Sequence, residues 1–382
     1  MSNQNSQEKD EKKGYLSNDQ EEYIAQEQQE VDFLNKLINE NNIQYFIIQR
    51  LNLESLNRVY QGYKTPLQQY PDGKTPKLIF KLLRYHSDEE KEKVKKAIDI
   101  FDLFPEEEDT IIRVIDSFEL MINDSNHIFL VSKFYEYSDL YEFFKVEDMG
   151  YYVSETEICY TTFQILRILL LLKRENVLHN DIKLENFIVM NKIPLKIGII
   201  DFDFSEKIEL YSVSSEGTPI YMAPEVINHE KHDFQSDIWS LGINLFLLMF
   251  KCFPFEMYKN SKEVVKFCLD NYELEQPYYR KIKSNAWNCI SRMLEKDPNK
   301  RITVEEALKH PWFKYMTFPT EKSKRKAESI YLKSMQTVKD DDDEVKKSFV
   351  NTNKDKEHNK SKNKNKNKDK DDDKNDDDDD DN

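Results

Sequence analysis

The sequence predicts an α+β fold with two lobes, a small β-rich lobe with one main helix and a larger, mostly helical lobe. Segments rich in β-branched and aromatic residues, which favour strands, are concentrated between residues 43 and 134. After about residue 138, longer segments carry apolar residues at helical spacing. A sheet-rich region followed by a helix-rich region indicates two lobes with a cleft between them.

The small lobe, residues 43–135, has the predicted order β-β-β-α-β-β. Residues 21–42 are predicted to form an N-terminal helical extension that packs at the edge of the domain. The helix inside the lobe would be capped by Ser87 or Asp88 and would end before Pro105. The strands are expected at residues 43–51, 58–63, 77–83, 111–120 and 127–134.

The larger lobe, residues 136–316, is predicted to begin with a long apolar helix at 154–175. Two short strands at 187–190 and 195–200 follow it. Further helices are expected at 236–252, 262–270, 284–295 and 303–309.

Composition narrows the class of protein. The 382 residues contain 56 basic and 72 acidic side chains, a formal net charge of −16, so the basic footprint of a nucleic-acid-binding protein is absent. No apolar segment is long enough to span a bilayer and no secretory signal is recognisable, so we expect no membrane partner. Four cysteines without a C-x-x-C pair indicate reduced thiols. A cytoplasmic or nuclear protein is expected.

Both ends of the chain are expected to be disordered. Residues 1–20 are polar and weakly patterned, and residues 317–382 end in an Asn/Lys/Asp segment with too few apolar side chains to offset chain entropy. This tail contains no glycine, which excludes an EF-hand calcium loop. The alternative to a solvated acidic tail is one that binds a basic partner.

The chemistry is concentrated between residues 179 and 225. Asp181 and Asn186 are five residues apart, and Asp201 follows after the two short strands. In phosphoryl transfer, one carboxylate orients the attacking hydroxyl, while an amide oxygen and a second carboxylate hold Mg²⁺ against the nucleotide phosphates. Lys183 is placed to neutralise charge that develops on the transferred group.

These motifs resemble the eukaryotic protein kinase family. Residues 179–186 (HNDIKLEN) match the catalytic loop H-R-D-x-K-x-x-N, with Asn180 in place of the arginine. Residues 201–203 (DFD) match D-F-G, with Asp203 in place of the glycine, and residues 223–225 match A-P-E. Structural or regulatory roles are implied for His179, Phe202, Thr218, Glu225, Asp237 and Arg301, with Arg301 as the ion partner of Glu225.

The resemblance covers roughly residues 43–313 and is closest to the Ser/Thr type, in particular the calcium/calmodulin-dependent kinase group. It implies a bilobal protein-kinase fold that transfers the γ-phosphoryl of ATP to Ser/Thr hydroxyls of protein substrates. ATP and Mg²⁺ are the implied cofactors. Asp181 and Lys183 would be catalytic, and Asn186 and Asp201 would hold the metal.

Lys81, on the third predicted strand, resembles the family's phosphate-binding lysine. The alternative is a surface lysine on an edge strand. Its acidic partner should lie on the helix of the small lobe. Counting back from the next strand leads to Asp99, with Asp102 and Glu92 as alternatives.

The adenine pocket is implied by the same resemblance. Val59 and Ile79 would contact the ring, and Ile79 stands where the family has a small residue. Ser132 resembles the gatekeeper before the hinge, and the backbone near Lys133 and Phe134 would bind adenine. A small gatekeeper predicts an open space behind the nucleotide.

The phosphate loop departs from the family. Asn52, Glu54 and Asn57 occupy its three glycine positions, although glycine allows the backbone to approach phosphate without a Cβ. Asp203 either strains the backbone or adds a carboxylate beside the metal. These losses suggest a pseudokinase scaffold as the alternative to an enzyme, but the retained charged residues favour a weakened, competent kinase.

The regulation expected for this chain also differs from that of the family. Asn180 removes the guanidinium that would pair an activation-loop phosphate, so activity should not depend strongly on phosphorylation of that loop. Ser212, Ser214 and Ser215 are the available acceptors. Thr218 is expected to brace Asp181 and Lys183 through its hydroxyl.

Overall fold

The computed structural model describes residues 18–51, 58–66, 76–148, 153–255, 261–271, 273–277 and 280–314. All of them belong to one compact unit. The predicted roles of Asn52, Glu54 and Asn57 and the predicted disorder of 1–17 and 317–382 lie outside the described residues. The N-terminal helix begins at Asn18, three residues before the predicted start.

The small lobe contains a five-stranded antiparallel sheet with the strand order β1-β2-β3-β5-β4. Its strands are β1 (Tyr45–Arg50), β2 (Arg58–Lys64), β3 (Leu78–Tyr85), β4 (Val114–Ile122) and β5 (Ser125–Lys133). The predicted order of these elements along the chain, β-β-β-α-β-β, is confirmed. β4 starts later than predicted because Ile111 forms an isolated bridge with Ile199 of the large lobe instead.

Helix α1 (Asn18–Glu40) is part of the core of the small lobe. Its side chains Val31, Leu34 and Ile38 are buried in one apolar cluster with Ile47 and Phe80 of the sheet. An amphipathic helix gains most of its stability from burying such a face. The predicted extension therefore completes the sheet's hydrophobic layer.

A buried asparagine joins α1 to the sheet. Asn35 is 7% exposed, and its side chain donates to the Ile47 carbonyl and accepts from the Ile47 N–H, both at 2.8 Å. The β1–β2 register shifts between Ile47 and Gln49. Asn35 thus satisfies backbone groups at the point where the strand ladder is irregular.

Glu30 of α1 links the two strands that flank residues 52–57. Its carboxylate accepts from Tyr60 at 2.9 Å and pairs with Arg58, both on β2. Arg50, the last residue of β1, lies 3.5 Å from the same carboxylate. The ends of both strands are therefore attached to α1.

Helix α2 (Asp88–Asp99) begins at Ser87, whose hydroxyl accepts from the Glu90 N–H. It changes into a 3₁₀ turn at Ile100–Leu103. Arg113 donates to the carbonyls of Phe104 and Pro105 at 2.7 and 2.6 Å, and so satisfies acceptors where the segment ends. The predicted single helix is therefore a shorter helix followed by a tighter turn.

The large lobe is helical, with two small two-stranded sheets, β6–β9 and β7–β8. Helix α6 is buried at every position from Ser236 to Phe250, which makes it the central helix of the lobe. The helices are α3 (Leu140–Phe143), α4 (Glu155–Arg174), α5 (Pro224–Ile227), α6 (Gln235–Phe250), α7 (Lys262–Asn271), α8 (Ser284–Met293) and α9 (Val304–Leu308). The strands are β6 (Val177–Leu178), β7 (Phe187–Lys192), β8 (Leu195–Ile199) and β9 (Glu206–Lys207).

The large lobe contains the predicted ion pair between Glu225 and Arg301. The two Nη atoms of Arg301 contact the two carboxylate oxygens at 2.6 and 2.9 Å, and both side chains are buried. The guanidinium also lies 5.1 Å from the centre of the Trp239 ring on α6. A bidentate, stacked arginine fixes the orientation of the segment that contains Glu225.

The four cysteines are free thiols. Across the described part of the chain, none of the helices combines the length and the apolar content that crossing a bilayer requires.

Asn35→Ala should destabilise the protein by roughly 3 kcal/mol, because two buried backbone groups of Ile47 lose their partners. Asn39→Ala, at an exposed position of the same helix, is the matched control and should change the unfolding free energy by less than about 0.5 kcal/mol. Urea unfolding of the full chain measures both. Equal effects of the two substitutions would contradict this role of Asn35.

Candidate active site

A cavity of about 550 Å³ separates the sheet of the small lobe from strand β7 and the segment after β8. Its volume lies within the range of roughly 300–1,000 Å³ that is usual for small-molecule sites. Residues of both lobes line it, and they include Val59, Ile79, Lys81, Ala97, Phe101, Ser132, Lys133, Phe134, Ile188, Asp201 and Asp203.

Strand pairing brings the predicted adenine-contacting residues together. Ile79 on β3 is directly opposite Ser132 on β5, and Val59 on β2 is opposite Lys81. All four residues line the cavity, as do Lys133 and Phe134 where β5 leaves the sheet. The antiparallel register therefore collects residues that are up to 75 positions apart in the sequence.

The ammonium group of Lys81 lies between two carboxylates. Its Nζ is 2.7 Å from Asp201 Oδ1 and 2.7 Å from Asp203 Oδ2. Lys81 comes from the small lobe and both acids come from the large lobe, so this cluster joins the two sides of the cavity. Lys81 is thus not a surface lysine on an edge strand.

The predicted partner of Lys81 was wrong. Asp99 lies exposed at the end of α2, and the alternatives Asp102 and Glu92 are exposed too. The part of α2 that lines the cavity contributes Ala97 and Ile98 instead. An apolar helix face leaves Lys81 to take its counter-charges from the segment after β8.

Burial and mutual attraction determine the charges of this cluster. Burial would lower the pKa of Lys81, but Asp201 and Asp203 outweigh it, so its pKa is raised. Burial would raise the pKa of Asp201, but Lys81 and the hydrogen bond with Asp203 together outweigh it, so the pKa of Asp201 is lowered. Burial, with the neighbouring Asp201, raises the pKa of Asp203.

Of the two alternatives for Asp203, backbone strain is not found there, and the positive φ of this segment is at Asp201 instead. Asp201 has a φ of +64°, in the left-handed region that aspartate and asparagine tolerate better than most residues. Asp203 is not among the residues with positive φ. The substitution of the D-F-G glycine therefore requires no left-handed backbone here.

The catalytic loop forms one hydrogen-bonded set around Asp181. Lys183 Nζ lies 2.6 Å from Asp181 Oδ2, and the Thr218 hydroxyl donates to Asp181 Oδ1 at 2.7 Å. Lys183 also donates to Thr218 Oγ1 at 2.9 Å, which is the bracing that the sequence predicts. Asn186 donates to the backbone carbonyl of Asp181 at 2.8 Å. Contacts on both carboxylate oxygens fix the orientation of Asp181.

The loop is held from below by Asp237 of α6. Its carboxylate accepts from the backbone N–H groups of His179 and Asn180 at 3.0 and 3.1 Å. Burial raises the pKa of Asp237 to about 7, although the two N–H donors act against it.

Gly217 packs so tightly above the loop that an added Cβ would lie 2.3 Å from the Asn180 carbonyl oxygen, and its φ is +116°. Only glycine fits at this position.

Three rings in edge-on or tilted contact connect the 3₁₀ turn after α2 to the catalytic loop. Phe202 lies 5.0 Å from the ring of Phe101 and 5.1 Å from that of His179. Phe202 is 2% exposed and His179 is fully buried. The middle residue of the D-F-D segment is thus fixed by packing on both sides.

Asn186 and Asp201 lie at the same edge of the β7–β8 sheet. Phe187 pairs with Ile199, and the Ile200 N–H donates to the Asn186 carbonyl at 2.9 Å. The Asn186 amide nitrogen faces Asp181, so its oxygen faces away from that residue. An amide oxygen and a carboxylate are oxygen donors of the kind Mg²⁺ takes, usually with phosphate and water completing its shell. The residues present therefore fit a magnesium site shared with a nucleotide.

Other metal chemistry finds no support in the part of the chain described. Those residues contain no group of three or more His, Cys, Asp or Glu side chains that could hold a metal ion by themselves. Asp181 and Asn186 are each 3% exposed and lie behind the cavity lining, whereas Lys81, Asp201 and Asp203 border the cavity directly.

Asn180 makes a contact that the sequence did not reveal. Its side chain donates to Glu206 Oε1 and to the Phe204 carbonyl, both at 3.0 Å. Ser212 donates to the same Glu206 oxygen and is 3% exposed, so its expected availability as a phosphate acceptor was wrong. Glu206 was missed because a lone glutamate after a motif carries no local signal.

Comparison with known proteins agrees with this geometry. The family described as Protein kinase domain matches residues 71–313. The chain is 29% identical to the human protein "Myosin light chain kinase family member 4" over 239 residues, which is 62% of this chain and 59% of the relative. It is 31% identical to "Calcium-dependent protein kinase 4" of Plasmodium falciparum (isolate 3D7) over 236 residues, 59% of this chain and 44% of the relative.

A further human relative, "Myosin light chain kinase 3", is 27% identical over 259 residues, covering 67% of this chain and 30% of the relative. The chain thus spans less than two thirds of the length of each of these relatives. The family match covers well over half of the chain, and the bilobal α+β architecture is that of the family. The relatives are consistent with the predicted similarity to the calcium/calmodulin-dependent group. The chain belongs to the protein kinase family.

Proposed function

We propose that the protein transfers the γ-phosphoryl group of ATP to Ser or Thr hydroxyls of protein substrates, with Mg²⁺ as cofactor. The observation that supports this most directly is the position of Lys81, which reaches Asp201 across the cavity at 2.7 Å. A lysine and an acid on opposite sides of a nucleotide-sized cavity supply two of the groups that phosphoryl transfer uses, a phosphate contact and a metal ligand.

Asp181 is the proposed hydroxyl-orienting residue. Its carboxylate is fixed by Thr218 and Lys183, so it would accept a hydrogen bond from the substrate hydroxyl without reorganising. The hydroxyl oxygen forms the new bond to the γ-phosphorus, and the bond to the ADP oxygen breaks. Lys183 would stabilise the charge on the transferred group, because its ammonium lies 2.6 Å from the carboxylate that would orient the hydroxyl.

Asn186 and Asp201 are the proposed metal ligands, and Lys81 is the proposed phosphate contact. A magnesium ion held there would supply positive charge that neutralises the negative charge developing on the phosphates. Val59, Ile79 and the backbone around Lys133 would hold the adenine.

The second candidate is a pseudokinase scaffold with weak or no catalysis. Asn52, Glu54 and Asn57 replace the loop glycines, and Asp203 replaces the D-F-G glycine. The loop positions the nucleotide, whereas the charged groups of the site each contribute several kcal/mol to transition-state stabilisation. Those groups are all present in the sequence: Lys81, Asp181, Lys183, Asn186 and Asp201. We therefore favour the enzyme.

Protein substrates, a basic partner for the acidic tail and a cytoplasmic location belong to the proposal as well. Residues 340–382 carry 17 acidic and 11 basic side chains, which supports attraction of a basic partner at low ionic strength.

Asp181→Asn should lower phosphate transfer by about 10² to 10⁴-fold, because an amide cannot act as the proton acceptor. The assay uses the full chain, Mg-ATP and a generic basic protein substrate. Asp124→Asn, at an exposed turn with φ of +58° that asparagine tolerates, is the matched control and should transfer as the wild type does. Wild-type transfer no faster than that of Asp181→Asn would refute the enzyme.

Thermal unfolding with ATP then separates the two candidates. Binding at 100 times the dissociation constant should stabilise the protein by about 2.7 kcal/mol. Stabilisation without transfer would support the scaffold, and the absence of both would exclude nucleotide-dependent function.

Replacing Ser214 and Ser215 together with alanine should change kcat/KM by less than about twofold, because Asn180 offers no charge that a loop phosphate could pair with. The comparison is with wild-type protein before and after phosphatase treatment. A tenfold loss of kcat/KM in either experiment would contradict the predicted independence from phosphorylation.

Deleting residues 317–382 should abolish most salt-sensitive binding of a lysine-rich peptide, because this segment carries the acidic tail. Binding is measured by fluorescence anisotropy at low and at physiological ionic strength. Unchanged capture by the truncated chain would show that the tail is not a docking element.

A further inference from the structure

Lys81 has two carboxylate partners, Asp201 and Asp203, and one of them, Asp201, is expected to bind metal instead. Asp201 is the proposed metal ligand, and an oxygen that binds a metal cannot at the same time neutralise the lysine fully. In the general arrangement of protein kinases, a glutamate on the helix of the small lobe holds this lysine. If the protein is the kinase proposed above, another residue must hold Lys81 here.

Helix α2 offers no acid on the side that faces the cavity. Ala97 and Ile98 line the cavity, and Ala97 is 7% exposed. The acids Glu92 and Asp99 of the same helix are exposed to solvent. All of α2 lies within the described residues, so its cavity face is apolar along this stretch.

Asp203 is in the place to substitute for the missing acid. Its Oδ2 lies 2.7 Å from Lys81 Nζ, the same distance as Asp201 Oδ1. Asp203 follows Asp201 by two residues. The side chains of Lys81 and Asp203 are 16% and 26% exposed, so water screens their attraction only in part. The backbone of Asp203 reaches this position without positive φ.

We propose that Asp203 is the positioning residue of Lys81, and that it takes over the role of the absent helix acid. When Asp201 is engaged by metal, Asp203 keeps the ammonium directed at the phosphates. The carboxylate that holds Lys81 would then come from the D-F-D segment of the large lobe, in place of an acid on α2 of the small lobe.

A carboxylate in this position has a second conceivable use, as an additional metal ligand. The two roles differ in what can replace Asp203. A lysine anchor can be supplied from either side of the cavity, because only the charge near Nζ matters. A metal ligand must come from the segment that contains Asp201.

The test compares full-length wild type with Asp203→Asn, Asp203→Glu, Asp203→Gly and the double variant Asp203→Gly/Ala97→Glu. Titration calorimetry measures the dissociation constants of Mg-ATP and of adenosine, which lacks phosphates. Asp203→Asn should weaken Mg-ATP binding about tenfold and leave adenosine binding unchanged, since Lys81 acts on the phosphates alone. Asp203→Glu should bind Mg-ATP within about threefold of wild type.

The double variant is the decisive arm. Ala97→Glu places a carboxylate on the cavity face of α2, and it should restore Mg-ATP binding that Asp203→Gly alone loses. Asp99→Asn, on the exposed side of the same helix end, is the control and should bind as the wild type does. Thermal melting without nucleotide confirms that each variant is folded.

Unchanged or tighter Mg-ATP binding by Asp203→Asn would overturn the proposal. Failure of Ala97→Glu to restore binding in a folded double variant would overturn it too, in favour of a metal ligand. These outcomes differ from failure of the proposed function, in which the wild type itself would neither bind Mg-ATP nor transfer phosphate.

Discussion

The ion cluster of Lys81, Asp201 and Asp203 is the constraint on which the arrangement of the site depends. It joins a strand of the small lobe to the segment after β8, with both distances at 2.7 Å. A lysine buried to this degree would favour its neutral form without nearby acids, and the two carboxylates reverse that preference. Removing one of these side chains would leave a charge without its partner in a partly buried cleft. That loss of stability is larger than the loss from breaking an exposed ion pair. The relative position of β3 and the D-F-D segment is therefore fixed by charge as well as by packing.

The catalytic loop is held by hydrogen bonds to its backbone and side chains in addition to the ion pair of Lys183 with Asp181. Asp237 binds two backbone N–H groups beneath it, and Asn180 extends from the loop to Glu206. Glu206 in turn accepts from buried Ser212, so the segment after the D-F-D motif is attached to the loop without any added phosphate. A negatively charged Glu206 next to Asn180 would repel a phosphate rather than attract it. The site is in this sense already assembled in the unmodified chain.

The sequence allowed the contiguous parts of the site to be predicted, since residues 179–225 carry their chemistry at short, readable spacing. The order of elements in the small lobe was also readable from strand composition and helix caps. The partner of Lys81 was not, because α2 changes into a 3₁₀ turn at Ile100 and the number of residues per turn changes with it. Counting back from the next strand therefore gave Asp99, two positions beyond the cavity-facing Ala97. Long-range polar contacts such as Asn35 with Ile47 have no sequence signature at all.

Helix α1 stabilises the sheet of the small lobe from outside the segment that the family model matches. The family match begins at residue 71, yet β1, β2 and α1 all precede it and share one core with β3. Glu30 holds the residues at both ends of segment 52–57, Arg50 on one side and Arg58 with Tyr60 on the other. Through these contacts the ends of both strands are attached to α1, a helix that lies before the residues matched by the family model.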